Sequence, residues 1–170
     1  ESSDWNKIYK HINIANMILA SIDEQSTPKE EDELEVMRIK GEAYFLRGAY
    51  YFILVNLYGK PYTKTGAKND LGVPIKNTEY IEDKVYGRNT VEEVYAQVLA
   101  DLGEAEKCLE KTVHKSIYRA DITATYLLLS RVHLYMQNWE MAESYAKKVL
   151  AKQDDLRDLN MMEGIPFFLD

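Results

Sequence analysis

The sequence predicts an all-α protein of about five helices with one long irregular loop. Three observations carry this. Apolar residues recur at steps of three and four along several segments, which places them on single helical faces. Capping signals, "STPKE" and "NTVEE", stand where two of those segments begin. No alternation of apolar and polar residues runs long enough to build a sheet.

The first helix is expected from about Asp4 to Ile22, with Trp5, Ile8, Ile12, Ala15, Leu19 and Ile22 on one face. Asn13 and Asn16 lie inside that apolar segment as candidates to bond a neighbouring helix. The second helix starts at Thr27 as N-cap, with Pro28 at the first helical position and Glu30 completing a capping box. The acidic residues Glu31, Asp32, Glu33 and Glu35 then sit where the helix macrodipole is positive. The helix runs to about Tyr58, roughly 45 Å, where Gly59 can take the left-handed terminal conformation and Pro61 blocks continuation. Its second half is apolar on nearly every side, interrupted by Arg47, and should be covered by neighbours on several sides. Gly41, Ala43, Gly48 and Ala49 are small enough to let other helices approach.

Residues 58–89 hold Gly59, Pro61, Gly66, Gly72, Pro74 and Gly87 and show no helical period. They read as one long loop with a short extended piece at Val73–Ile75; a connection of this length in a compact domain is usually functional. The third helix opens at the Thr90–Glu93 capping box and runs to about Glu110. A fourth is expected from Ile122 to Met136 and a fifth from Trp139 to Lys152. The tail "NMMEGIPFFLD" is apolar and reads as chain that packs on a further element.

The last two helices form a hairpin, "ATYLLLSRVHLYMQNWEMAESYAKKVL", spaced like a tetratricopeptide repeat. Ser130 is the small residue at the crossing, Ala142 the small residue facing it, and Trp139 the aromatic that opens the second helix. His133 stands where Tyr is usual, and Gln137 where Gly often makes the turn. The fold class is thus an all-α, tetratricopeptide-like helical repeat bundle, with residues 1–170 as a single domain. A generic α-hairpin remains the alternative for this segment.

Net charge is −7 and no Lys/Arg run exceeds a pair, which argues against a nucleic-acid partner. The single cysteine, Cys108, excludes an internal disulfide and a cysteine-based zinc site. No run of apolar residues reaches transmembrane length, and the opening residues do not read as a signal peptide. The histidines His11, His114 and His133 form no metal-binding spacing, and no nucleophile, phosphate-loop or dinucleotide motif occurs. The paired acids Glu92–Glu93 and Asp154–Asp155 read as helix-terminal and solvated, so the reading is of a protein without catalytic residues, cofactor or metal. Tyrosine is over-used, 13 against 4 phenylalanines. Aromatic faces stack on sugar rings while polar neighbours bond hydroxyls, which makes Trp5, Tyr62 and Tyr80 the candidate ligand-binding residues. Tyr58 and Tyr86 read instead as residues that pin the loop to the bundle.

Several pieces, in this order and spacing, resemble the SusD/RagB family. They are Trp5, Tyr9, Ile12, Ala15, Asn16, Ile18 and Leu19 in the first helix, "GEAYFLRGAYYFILVNLYGKPY" at Gly41–Tyr62, and "LGVPI" at Leu71–Ile75. "RNTVEEVYAQVLADLGEAEKCL" at Arg88–Leu109 and the final hairpin at Thr123–Leu150 complete the match. The resemblance implies a Bacteroidetes surface lipoprotein of the outer membrane. Such a protein binds glycans or other nutrients, works with a SusC-like TonB-dependent transporter and is non-catalytic. Family members are near three times longer, so the chain is expected to be the helical scaffold segment of such a protein. Its membrane association would come only from a lipid anchor absent from this chain. No ligand residue carries over by a family motif. The competing reading is a generic tetratricopeptide-like domain that binds proteins or peptides in a groove.

Overall fold

The computed structural model describes residues 3–24, 30–80, 82–112, 116 and 118–155. Among them are five α-helices: α1 (Ser3–Glu24), α2 (Glu30–Tyr58), α3 (Val91–Leu109), α4 (Ile122–Tyr135) and α5 (Trp139–Leu150). The Thr27–Pro28 start, His114 and the apolar tail lie outside the described residues.

The long helix α2 is the centre of the bundle, packed against α1, α3 and α4, while α3 also packs on α4 and α4 on α5. The core lies between α2 and α3, where Tyr51, Leu54, Val55, Val94, Tyr95, Val98 and Leu102 meet Leu129 and Val132 from α4. Two glycines set how closely α2 and α3 approach. A Cβ at Gly41 would sit 2.6 Å from Leu109 Cγ and 2.9 Å from Cys108 Cβ; one at Gly48 would sit 3.2 Å from Asp101 Cβ. The predicted notches are thus faced by the backbone-proximal atoms of a single partner helix.

The apolar half of α2 is covered on several sides, by α1, α3 and α4, and stays open on one: Leu46, Ile53 and Leu57 are 44%, 43% and 62% exposed. They stand seven and four residues apart and so form one stripe, the side left open when the neighbouring helices pack on the others. One expectation needs correction: Gly59 does not take the left-handed conformation. It continues the helical turn, its N–H donating to Val55 O at 2.9 Å, and a Cβ there would lie 2.6 Å from that carbonyl. Glycine is needed at Gly59 for close approach. Among the described residues the left-handed non-glycine one is Gln137, at φ 58°, which turns the chain from α4 into α5.

In that hairpin the Ser130 hydroxyl donates to Ala142 O at 2.8 Å, so the small pair at the crossing is joined by a hydrogen bond. His133 stacks on Tyr145, with centroids 5.7 Å apart and planes 7° apart, and its Nδ1 has no hydrogen-bond partner among the described residues. The start of α3 forms the full capping box, with Thr90 and Glu93 each bonding the other's backbone N–H.

Candidate functional site

The segment joining α2 to α3 is built onto the bundle by polar groups. Its turn is closed by Ala67 N–H to Thr63 O at 3.0 Å and Asp70 N–H to Gly66 O at 2.8 Å. The chain then runs extended beside the entry to α3, with Gly72 N–H donating to Asn89 O at 2.7 Å and Asn89 N–H to Val73 O at 3.2 Å. Val73 and Ala67 are buried, so the segment carries its own anchors. Arg88 clasps it at the end of α2, donating to Tyr58 O and Leu71 O at 3.0 Å and to Gly72 O at 2.6 Å.

Further along, α1 and α2 hold the backbone of residues 74–78. Tyr9 donates to Pro74 O at 2.7 Å. The Tyr51 hydroxyl donates to Lys76 O at 2.9 Å and accepts from Lys76 N–H at 2.8 Å, and burial pushes it up to about 12. Asn16 gives its amide protons to Lys76 O at 2.9 Å and Thr78 O at 3.2 Å, and its carbonyl accepts from Arg47 at 2.9 Å. Arg47 in turn forks onto Asp101 of α3 at 2.6 and 3.0 Å, with Gln97 donating to the same carboxylate at 3.0 Å. Burial pushes the Asp101 carboxyl above the usual range, against the pull of the Arg47 fork. One buried polar chain therefore joins three helices and the loop. The two polar breaks in the apolar pattern, Asn16 and Arg47, are its middle members.

The three predicted aromatics occupy different settings. Trp5 is half-buried, 4.9 Å from Tyr9 and edge-on to Tyr58 at 4.9 Å, in a cluster at the start of α1. Tyr80 is 64% exposed, and its carbonyl accepts from the Lys76 ammonium at 2.5 Å. Tyr62 leans on the buried Tyr95 at 4.9 Å and lines a depression of about 440 Å³ with Lys64, Met136, Gln137, Asn138, Trp139 and Glu140. Tyr95 is itself fixed by Asn56 at 3.2 Å. Trp139, which the repeat spacing assigns to opening α5, is 61% exposed. Its signal was present: a tryptophan at the first position of a helix, after the polar turn Gln137–Asn138, has little core to enter. The depression thus pairs a held tyrosine with an exposed tryptophan, rimmed by two amides, a carboxylate and an ammonium, at a left-handed turn. Left-handed non-glycine residues recur at functional sites.

Other candidate groups are quieter. Cys108 is buried and burial pushes its thiol up, away from the reactive thiolate. Among the described residues no group of three or more His, Cys, Asp or Glu side chains could hold a metal ion. No described helix is long and apolar enough to cross a membrane.

The fold and this site define a class: a tetratricopeptide-like helical scaffold that carries a structured, aromatic-bearing loop. More specifically, the chain belongs to the SusD-like family, for the family model described as starch-binding, associating with the outer membrane, matches residues 1–134. The chain is 29% identical over 124 residues to the starch-binding protein SusD of Bacteroides thetaiotaomicron, covering 69% of this chain and 20% of that protein. A SusD superfamily protein from the same organism superimposes with a TM-score of 0.77 at 33% identity, covering 86% of this chain and 31% of that one. A putative sugar-binding protein from Bacteroides vulgatus gives 0.81 at 32% identity, covering 89% and 33%. The chain spans about a quarter to a third of the length of the first curated relatives it matches, 26% and 30%.

Proposed function

We propose that the chain is the helical scaffold portion of a non-catalytic, glycan-binding SusD-like lipoprotein of the outer membrane, and that it takes saccharide at the Tyr62–Trp139 depression. The observation that carries this is the pairing of an exposed Trp139 with a held Tyr62 beside Gln137, Asn138 and Glu140. Aromatic faces suit the C–H faces of a pyranose ring, and amide and carboxylate groups suit its hydroxyls. A volume of about 440 Å³ is in the range of small-molecule sites. The outer-membrane setting and the binding role are supported by the family description and by the starch-binding and sugar-binding relatives. Work with a SusC-like TonB-dependent transporter is the partnership the family resemblance implies. Tyr80 and the Trp5 cluster are further candidate contacts for a longer ligand.

A second reading has its own observation. A groove of about 330 Å³ between α2 and α4, lined by Phe52, Ile53, Asn56, Leu57, Arg131 and Tyr135, has the apolar floor and polar rim that suit a peptide. A glycan-array screen run beside a peptide library separates the two. The glycan reading expects array hits that fall to background in Trp139→Ala. Peptide hits lost in Arg131→Ala, with no glycan bound, would replace it with the peptide reading.

A further inference from the structure

A second concavity, of about 740 Å³, lies between α1 and the loop. Its wall holds Lys10, Lys76 and Lys84 with Tyr9, Tyr86 and Asn13. We propose that this groove is an anion-selective subsite that takes the carboxylate or sulfate groups of an acidic saccharide.

The charge is the first argument. The chain carries −7 overall, yet three lysines against one acid, Glu82, line this groove. Among the described residues none of the three has a carboxylate partner. Elsewhere among the described residues four lysines are paired, including Lys60 with Asp70 at 2.6 Å, Lys147 with Glu143 at 2.6 Å and Lys148 with Glu106 at 2.8 Å, while Lys7, Lys64 and Lys68 stand without a carboxylate; what sets this groove apart is that three such lysines line one concavity. The acid in the groove, Glu82, is engaged by the Tyr86 hydroxyl and by Thr78 Oγ1 at 3.3 Å rather than by a lysine. Unpaired like charges in one concavity repel and do not stabilise the fold, whereas an incoming anion relieves them.

The donors are the second argument. The Lys76 ammonium is held by Tyr80 O at 2.5 Å and Asn13 Oδ1 at 3.4 Å, which uses two of its three protons. That fixes its position and leaves one donor for a ligand. Lys84 lies 5.1 Å from the centre of the Tyr86 ring, so it too has a preferred place. The Tyr9 and Tyr86 rings offer apolar faces beside these charges, and the Asn6 and Asn13 amides line the same wall. Rings, amides and fixed cations in one cleft match a charged sugar better than a bare ion or a lipid surface. A lipid surface asks for an exposed basic face rather than a groove.

This rests on the glycan-binding reading of the chain, and the test keeps the two apart. The whole chain is titrated by calorimetry with an oligogalacturonate, a sulfated oligosaccharide, a neutral oligosaccharide of equal length and inorganic sulfate. Vesicles containing anionic lipid form a further arm. The expected result is tighter binding of one or both acidic oligosaccharides than of the neutral one, weakening as salt rises. The double variant Lys10→Gln/Lys84→Gln should then lose roughly tenfold or more in acidic binding, the scale of a charge-assisted hydrogen bond, and keep its neutral binding. Carboxylate and sulfate are told apart by which oligosaccharide responds. Equal affinity for acidic and neutral chains overturns the subsite and leaves the glycan reading standing. So does acidic binding that survives the double variant but falls in Trp139→Ala. Vesicle binding without oligosaccharide binding replaces the saccharide with a lipid headgroup, and binding of nothing overturns both readings. Circular dichroism of the double variant should match the parent, since neither side chain is buried.

Discussion

Arg47 and Asp101 form the pair on which the placement of the loop depends. Both are almost fully buried, at 8% and 2% exposure, and each is hydrogen-bonded to further partners. A buried pair stripped of one member leaves an uncompensated charge, which costs about 3–5 kcal/mol. Arg47→Ala should therefore lose roughly that much by denaturant titration, while Arg47→Met with Asp101→Leu recovers most of the loss. Equal stability for Arg47→Ala and the parent would show that the pair is not buried as described. His133 gives a residue-scale pH dependence. Burial holds its imidazole below the ordinary 6.5, so the unfolded chain binds the proton more readily. The contribution is present above the unfolded value and is lost as pH falls through the folded one. The melting midpoint should fall on acidification below about pH 6.5, and less so in His133→Phe, by calorimetry across that range. The same slope in both would place the effect on other groups. From the sequence, Arg47 and Asn16 were visible only as breaks in apolar runs. Their partners Asp101, Lys76 and Thr78 stand on other elements, and a local pattern carries no record of pairings made across the fold.

At the scale of elements, the seam between α2 and α3 is the most constrained contact. Gly41→Ala puts a methyl group within 2.6 Å of Leu109 Cγ and 2.9 Å of Cys108 Cβ, atoms too near their own backbone to swing aside. It should cost roughly 1–3 kcal/mol despite the better helix propensity of alanine. Gly48→Ala meets its nearest atom at 3.2 Å, so a small shift accommodates it, and it should come out near neutral. Gly48→Leu should overpack and cost roughly 1–3 kcal/mol. Thermal melts of the three variants check the order, and a Gly41→Ala midpoint at or above the parent would contradict it. The helices themselves were legible because period, caps and small-residue notches are written locally. What was not legible is which side of α2 would stay open, because that depends on how many neighbours reach it. The turn chemistry misled at Gly59 and spoke at Gln137. Glycine served close approach in one place, while a glutamine took the left-handed turn in the other.

At the scale of the whole molecule, the order of helices, the hairpin and the loop motifs pointed together to one family, and the family model covers residues 1–134. The candidate site was half legible. Tyr62 followed from its place after α2, but its companion Trp139 comes from the far end of the chain, and only the packing of α4 and α5 brings the two to one depression. The proposed glycan site is therefore a product of tertiary structure, and the central claim turns on whether these two side chains meet a sugar. The chain contains two tryptophans, Trp5 and Trp139, so Trp5→Phe leaves Trp139 as the sole reporter of indole fluorescence. Titration of this variant with oligosaccharides identified on the array should give a saturable change in emission. That change should disappear when Tyr62→Ala is added. No change in Trp139 emission at saturating oligosaccharide, with binding still measured by calorimetry, would contradict the account and place the sugar elsewhere.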